Sequence, residues 1–257
     1  HPLSHRVLGT DETVGGMKRD DMLAYFRHRY SADNTVLAMA GRLDFDAMLA
    51  RAREHCSGWE RTGAVRAYPA ITPVTDRIAM HSATVNRHYV MMVAAAPALQ
   101  DERRYAAGML AQILGDSEGS RFYWSLVETG IAEEAQAQYD GRDGVGDFIV
   151  YASCGPEDAE RVEDLLRQES ARLADSLQED DLVRVRSKVA TAAALQGELP
   201  GGRMRRIGQR WTNLGAYRSL EEELAAIDAV TLQDLRDTAA AFPFEWTVTG
   251  TLDPQPE

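Results

Sequence analysis

A helix, a turn, an apolar strand and the tetrapeptide Gly-x-Leu-Asp occur twice in this chain, and this repeat limits what the chain can fold into. The first copy ends in TVLAMAGRLD at Asp44, and the second ends in EWTVTGTLD at Asp253. The match is short and gapped, so a chance similarity stays open. If the repeat is real, a lone first copy cannot bury its own apolar face. We therefore expect residues 1–60 to be the C-terminal part of a truncated first domain.

The order of strands and helices after the first repeat indicates an α+β fold. Apolar runs and turn residues predict strands at 77–84, 88–96, 132–139, 147–154 and 244–249, with a further buried strand at 35–40. Apolar spacing and capping residues predict helices at 18–30, 45–56, 101–114, 120–128, 156–177, 180–196, 203–214, 219–227 and 231–241. Paired strands joined by short turns, with the helices segregated from them, predict two layers. We expect a mainly antiparallel sheet with helices packed on one face.

The segment at 57–76, SGWERTGAVRAYPAITPVTD, separates two blocks of periodic sequence. It contains two prolines and two glycines and has no hydrophobic period, which is typical of a linker. The predicted organisation therefore has four parts. They are the end of a first domain at 1–60, a linker at 61–76, a complete second domain at 77–252 and a tail at 253–257.

The charge and cysteine content exclude several classes of function. The net charge of −12 argues against nucleic acid and against an anionic membrane surface, because both attract basic proteins. No apolar run approaches the ~20 residues that a membrane span needs. The two cysteines, Cys56 and Cys154, are too few for a disulfide framework or a four-cysteine zinc site. We expect both to be small, mostly buried side chains.

Five segments occur in a fixed order along essentially the whole chain. They are HPL…VLGT, RHRYSADNTVLAMAGRLD, LGDSEGSRFYWSLVETGIAE, LQGELPGGRM and YRSLEEELAAIDAVTLQDL. Their order and spacing together resemble the pitrilysin/insulinase family of zinc metallopeptidases, and within it the bacterial members related to mitochondrial processing peptidase. The resemblance implies two similar α+β domains that face each other across a chamber.

The same resemblance implies that the catalytic metal is held elsewhere. In the family, the zinc motif H-x-x-E-H and a further Glu ligand lie upstream of the HPL segment, and a zinc-bound water is the nucleophile. None of these groups is present in this chain. We therefore expect no catalytic residue, no metal ligand and no cofactor here, and zinc in a longer parent protein.

The resemblance implies a role as the C-terminal, non-zinc-binding part of a zinc-dependent endopeptidase, inactive alone, that forms one wall of a peptide-binding chamber. The expected partners are a peptide or protein substrate and the missing N-terminal catalytic domain, and a homodimer stays open. No nucleic-acid or membrane partner is expected. Two alternatives also stay open: a non-catalytic homologue or scaffold subunit that pairs with an active peptidase, and an unrelated α+β binding domain.

Substrate-handling residues match the family only in part. Ser120 and Arg121 match a Ser-Arg-Leu run of the family and are the predicted substrate-binding residues. The family places a substrate-holding Arg and Tyr further along, where this chain has Val127 and Glu133. That role cannot be carried over to these two positions. For Arg121, the structural alternative is an ion pair with Glu118 or Glu128.

The histidines of the chain do not form a metal motif. His1 and His5 have the spacing of H-x-x-E-H, but Ser4 stands where the motif has Glu. We interpret His81 and His88 as polar strand positions, for which no carboxylate partner is evident from spacing. The GDSEGS segment lacks the lysine and the preceding strand of a phosphate-binding loop, and we predict a tight turn there.

Overall fold

The computed structural model describes residues 1–72 and 74–255, and their backbone contacts divide into two units. Unit 1 comprises His1–Ile71 and Gln196–Arg218, and unit 2 comprises the described residues of Thr72–Leu195 and Ser219–Glu257. The predicted linker includes Pro73 and the predicted tail includes Pro256 and Glu257, which lie outside the described residues. The four-part organisation predicted from the sequence therefore stays a prediction.

Nine α-helices and five strands make up the described chain. The helices are α1 (Asp11–Gly15), α2 (Arg19–Arg29), α3 (Phe45–Cys56), α4 (Arg104–Gly115), α5 (Ala159–Ser176), α6 (Glu179–Gln196), α7 (Pro200–Leu214), α8 (Leu220–Asp228) and α9 (Leu232–Ala241). The strands are β1 (Asp76–Ser82), β2 (His88–Ala96), β3 (Glu134–Arg142), β4 (Val145–Cys154) and β5 (Val248–Pro254). Short 3-10 turns occupy Pro2–Ser4 and Pro156–Asp158, and a π-helix spans Tyr123–Val127.

Unit 2 contains one five-stranded sheet in the order β1-β5-β2-β4-β3. β2 pairs antiparallel with β4 and β5, and β3 pairs antiparallel with β4 through a tight hairpin. β1 and β5 are parallel, because the helical part of the chain separates them and brings β5 back between β1 and β2. The sheet is therefore mixed, and the α+β prediction is confirmed.

The two faces of the sheet differ in burial. Along β2, Val90 and Met92 are almost fully buried, whereas Met91 between them is 47% exposed. Alternation of this kind arises because successive side chains of a strand point to opposite faces. Helices α4, α5 and α9 pack against one another, and α4 and α5 contact the sheet. Their buried side chains and those of the covered face form the main core, which includes Met109, Leu110, Ile113, Leu114, Phe122, Leu126, Val150, Val162, Leu166, Leu173 and Leu235.

The end of α4 approaches the sheet closely. An ideal Cβ built on Gly115 would lie 2.2 Å from the backbone N of Ala137 in β3. A side chain there would collide with backbone, which cannot move away as a flexible side chain can. The glycine therefore allows α4 to lie directly on β3.

Several predicted caps are confirmed at atomic detail. The Asp44 carboxylate accepts a hydrogen bond from the Ala47 N–H at 2.8 Å and begins α3. Thr231 and Asp234 form a capping box at the start of α9. α7 begins at Pro200, earlier than predicted, because proline is favoured in the first turn of a helix.

Apart from shifts of a few residues at element ends, three predicted elements differ from the structure. Residues 35–40 do not form a strand, because no neighbouring described strand pairs with their backbone. The predicted helix at 120–128 is mainly a π-helix, in which the Glu128 N–H donates to the Tyr123 carbonyl at 2.8 Å. The closing strand begins at Val248 rather than at residue 244, because Phe244 and Trp246 pack beside the core before the ladder with β1 and β2 starts.

Replacing Gly115 with Ala tests the approach of α4 to β3. We expect Gly115→Ala to lower the free energy of unfolding by about 2 kcal/mol or more, because the added methyl group would collide with the Ala137 backbone. The matched control is Gly108→Ala in the same helix, where the nearest side-chain atom is 4.0 Å away. That control is expected to be neutral or to stabilise by up to ~1 kcal/mol. Urea denaturation of both variants measures the difference, and equal effects would contradict the packing described.

Candidate peptide-binding face

The side of the unit 2 sheet that the unit 2 helices leave uncovered, here called the open face, carries a group of neighbouring apolar side chains. The strand register places them side by side. Leu252 of β5 lies between Met80 of β1 and Tyr89 of β2, and Met91 of β2 lies opposite Tyr151 of β4. Ile78, Met80 and Met91 are 46%, 53% and 47% exposed. Large side chains exposed in this way on neighbouring strands form a patch of the type that marks binding surfaces.

The centre of the open face contains a shallow gap between Ile78 and Met91. Gly250 lies between these residues in the register and contributes no side chain. A Cβ at Gly250 would meet only the Met91 carbonyl oxygen, at 4.0 Å. The gap is therefore open and is lined by flexible apolar side chains, which adapt to different occupants.

Two tyrosines extend the open face toward β4. The rings of Tyr89 and Tyr151 are stacked with centroids 6.4 Å apart. Burial, with a further effect of the nearby Glu134 carboxylate, raises the pKa of Tyr151, so its phenol is neutral at physiological pH. The two stacked rings present apolar surface together with hydroxyl groups that can form hydrogen bonds.

Charged and polar groups border the open face where β2 begins and β4 ends. Arg87, just before β2, forms an ion pair with Glu133, just before β3, across the end of β4. The Gln136 side-chain amide donates to the Glu134 carboxylate at 2.7 Å. The Glu133 carboxylate is therefore already paired with an arginine of the same unit.

Ser120 and Arg121 lie at the start of the segment that contains the π-helix. The Ser120 hydroxyl is fully buried, donates to the Asp116 carbonyl at 2.7 Å and accepts from the Tyr123 N–H at 3.1 Å. The Arg121 guanidinium donates to both carboxylate oxygens of Asp181, at 3.0 and 2.6 Å. These contacts are within unit 2, and the substrate-binding role predicted for Ser120 and Arg121 stays a prediction.

The alternative prediction, in which Arg121 forms an ion pair with Glu118 or Glu128, is wrong about the partner. Its partner is Asp181 at the start of α6 rather than Glu118 or Glu128, and the Ser176 carbonyl also accepts from Arg121 at 3.1 Å. Glu128 instead accepts a hydrogen bond from the Tyr123 hydroxyl at 2.8 Å. Asp181 lies about 60 residues away in sequence, so local spacing could not identify it.

Two further side chains of this segment, Val127 and Trp124, differ in their exposure to solvent. Val127 packs against the main core, so its side chain faces inward. Trp124 is 59% exposed and its ring packs edge-on against Tyr123. A π-helix changes side-chain direction by its extra residue per turn, and such segments are frequent at functional sites.

His88 has a carboxylate partner that sequence spacing did not reveal. Its ring is buried, and Nδ1 lies 2.7 Å from the Asp253 carboxylate at the end of β5. The only sequence signal was the chain's own repeat, which places Asp253 at the end of its second copy.

Burial raises the pKa of the neighbouring Cys154 thiol to about 11, so this cysteine is not a thiolate at neutral pH.

The described residues do not fit a zinc site. Across 1–72 and 74–255, no group of three or more His, Cys, Asp or Glu side chains is arranged to hold a metal ion. His1 and His5 are both exposed, and His1 Nδ1 accepts a hydrogen bond from the Leu3 N–H. We therefore assign no catalytic step through a metal to this chain.

In the same described part, no helix is long and apolar enough to cross a bilayer.

The partly buried Arg121–Asp181 pair predicts a pH-dependent contribution to stability. Burial acts to raise the pKa of Asp181, but hydrogen bonds from Arg121, the Gln178 N–H and Arg184 lower it overall from its ordinary value of 3.8. A lowered folded-state pKa stabilises the fold above pH 3.8, and this contribution is lost as the pH falls through the folded-state value.

We expect Asp181→Asn to lower the free energy of unfolding at pH 7 by roughly 1–3 kcal/mol, because the neutral amide accepts weaker hydrogen bonds than the charged carboxylate. The difference from the wild type should shrink as the pH falls below 3.8. Asp180→Asn, at the exposed neighbouring position, is the control and should change stability little. Urea denaturation between pH 3 and 8 measures both; a pH-independent difference for Asp181→Asn would contradict the role assigned to its charge.

Comparisons with known proteins identify relatives of the whole chain. The chain is 28% identical over 256 residues to an uncharacterized zinc protease of Mycobacterium leprae, covering 93% of this chain and 55% of that protein. It is 22% identical over 241 residues to the uncharacterized zinc protease YmxG of Bacillus subtilis, covering 93% of this chain and 58% of that protein. The chain thus spans little more than half the length of these relatives.

Solved structures have the same fold at low sequence identity. A peptidase M16 inactive domain from Pseudomonas fluorescens aligns with a TM-score of 0.90 at 16% identity, over 100% of this chain and 62% of that one. A chain of complex III from Candida albicans aligns with a TM-score of 0.85 at 21% identity, over 98% of this chain and 63% of that one. The sequence profile described as the peptidase M16 inactive domain matches residues 16–189, most of the chain. The chain therefore belongs to the M16 peptidase family and contains its inactive domain.

Proposed function

We propose that this chain is the C-terminal, non-zinc-binding part of a zinc-dependent endopeptidase, and that its open face forms one wall of the peptide-binding chamber. The observation that carries the proposal is the apolar patch of Ile78, Met80 and Met91, exposed on a sheet whose other face is packed against helices. Leaving such side chains in water is unfavourable unless something covers them.

The chemistry of the open face suits an extended, unfolded peptide. Methionine side chains adapt to varied apolar groups, and the Tyr89 and Tyr151 rings provide flat apolar surface with hydroxyls at the edge. The centre has no charged side chain, whereas Arg87 and Glu133 lie at its border. Such a surface binds peptides of varied sequence through apolar contacts and does not require one specific side chain.

Hydrolysis requires groups that the described residues do not supply. A metallopeptidase needs a metal-bound water and a general base, and the family relatives are named zinc proteases. We therefore propose that a catalytic domain or subunit holds the zinc and that this chain is inactive alone. The chain's coverage of 55% and 58% of those relatives leaves room in them for a further domain of similar size.

Unit 1 supplies a second argument for a catalytic-type partner domain. The repeat aligns Met39–Asp44 with Val248–Asp253 of β5. β5 has a strand on each side, whereas no described strand pairs with the corresponding residues of unit 1. Leu37 and Met39 are exposed there. We propose that residues 1–60 complete a first domain together with strands of the catalytic part, that 61–76 is the linker and that 77–252 is the second domain.

Ser120 and Arg121 remain proposed peptide contacts, although their present hydrogen bonds also explain them as residues that position the π-helix segment. Arg121→Lys separates the two roles, because lysine keeps the charge and loses the bidentate geometry. A loss of peptide affinity without a loss of thermal stability would support contact with the substrate. A loss of stability alone would leave only the positioning role.

A scaffold subunit is the second candidate function. It is favoured by the loss of the family's Arg and Tyr at Val127 and Glu133, and by the similarity to a complex III chain. In that case the open face would be covered by a folded partner rather than by a peptide. The two functions differ in whether the isolated chain binds unfolded polypeptide.

Substitution on the open face tests peptide binding directly. The probe is fluorescein-labelled, reduced and carboxymethylated α-lactalbumin, which is an unfolded polypeptide. We expect Met91→Glu to raise its Kd by at least about tenfold, because the bound peptide would bury the introduced carboxylate without a partner. Val183→Glu on α6 is the matched control, since Val183 is 53% exposed but lies off the sheet. Fluorescence anisotropy measures both affinities.

The control should bind like the wild type, and both variants should keep the wild-type circular dichroism spectrum. Equal loss in both variants would indicate a non-specific effect of charge. No binding by the wild-type chain, together with stable association with a folded peptidase domain, would contradict the chamber wall and support the scaffold function.

A further inference from the structure

β3 is an edge strand whose central residues have little protection against pairing. It is nine residues long, lies last in the strand order and has no described strand on its outer side. Natural sheets usually protect edges with charge, proline or a bulge. The register between β3 and β4 is continuous, and the central residues Ala135–Tyr139 include neither proline nor charge. The opposite edge, β1, carries Asp76, Arg77 and His81 along only seven residues.

We propose that the outer edge of β3 pairs antiparallel with β3 of a second copy of this chain, about a two-fold axis at Gln138. An isologous pairing of this kind makes each contact twice. It joins two five-stranded sheets edge to edge with both open faces on the same side. The inference rests on the edge itself and does not depend on what the open face binds.

Charge complementarity selects this register. With the axis at Gln138, Glu134 lies opposite Arg142 of the second copy and Gln136 lies opposite Asp140. All these residues have even numbers and therefore lie on the same face of the strand. Opposite-charge pairs directly across an antiparallel ladder stabilise it, and like charges destabilise it.

Other positions of the axis are less favourable. An axis at Ala137 places Glu134 opposite Asp140, and an axis at Asp140 places that carboxylate opposite itself. An axis at Tyr139 leaves Glu134 beyond the end of the paired strands. Only the axis at Gln138 uses the whole strand and pairs its two oppositely charged ends.

The side chains at the proposed interface have free hydrogen-bonding capacity. Arg142 donates one N–H to Asp140 and another to Asp147, and a guanidinium has five. Gln138 is exposed and makes no side-chain hydrogen bond within the described chain. Its amide can both donate to and accept from the Gln138 of the second copy across the axis.

The proposed dimer is weak, because one strand edge buries less area than a standard interface. We expect a Kd on the order of 10 µM, measured by sedimentation equilibrium of the 257-residue chain. Gln138→Lys and Gln138→Glu each place like charges opposite each other, and each is expected to raise that Kd at least about tenfold.

Mixing the two variants is the decisive experiment. The introduced lysine of one variant would then face the introduced glutamate of the other, so the equimolar mixture is expected to dimerise at least as well as the wild type. Gln168→Lys and Gln168→Glu, at an exposed position on α5, are the matched controls and should dimerise like the wild type both separately and mixed. Circular dichroism checks that every variant is folded.

Three results would overturn the proposal. The first is a wild-type chain that stays monomeric at about tenfold the expected Kd. The second is a dimer that the Gln138 variants do not weaken, which would place the interface elsewhere. The third is a monomer whose β3 amides become protected from hydrogen exchange only when carboxymethylated α-lactalbumin is added, which would assign the edge to a peptide.

Discussion

The packing of α4 on one face of the sheet is the interaction on which the rest of unit 2 depends. α4 lies directly on β3 because Gly115 has no side chain to collide with the Ala137 backbone. Its apolar residues then fill the space between the sheet and the helices α5 and α9. The described unit 2 helices that contact the sheet, α4 and α5, pack on this side, so within unit 2 the opposite side of the same strands is uncovered. The open face is therefore a direct consequence of a two-layer arrangement.

The uncovered face and the absence of a metal-binding cluster among the described residues are both consistent with the proposed function. A sheet that needed only to be stable would carry polar residues on its solvent side, as antiparallel sheets commonly do. Here Met80, Met91 and Tyr89 occupy such positions. The described chain has no metal-binding cluster of its own, and it belongs to a family whose matched domain is described as inactive. In the proposed function, this exposed apolar face binds a substrate or partner while another domain carries out the chemistry.

The fold could be predicted from the sequence where local signals were strong. β2 was predicted at its observed bounds, and the caps at Asp44 and Thr231 were found, because strand periodicity and capping act over a few residues. Residues 35–40 were predicted as a strand from an apolar run, but a strand also needs a neighbour, and none of the described strands supplies one. The π-helix at Tyr123–Val127 has the composition of an ordinary helix, and only the backbone geometry distinguishes it.

The candidate site was less predictable because its contacts are distant in sequence. Arg121 was selected by family resemblance, yet its carboxylate partner Asp181 comes from another helix. His88 and Asp253 are joined only because β5 returns to the centre of the sheet. The open face was not predicted at all, since single strands show alternation but do not show which side the helices will cover.

Methionine methyl groups offer the most direct measurement of peptide binding to the open face. The chain has nine methionines; Met80 and Met91 lie on the open face, and Met92 and Met109 are buried on the covered side. In a chain labelled with 13C at the methionine methyl groups, titration with carboxymethylated α-lactalbumin is predicted to shift the signals of Met80 and Met91 and to leave those of Met92 and Met109 unchanged. Binding that leaves the Met80 and Met91 signals in place would contradict the assignment of the open face as the peptide-binding surface.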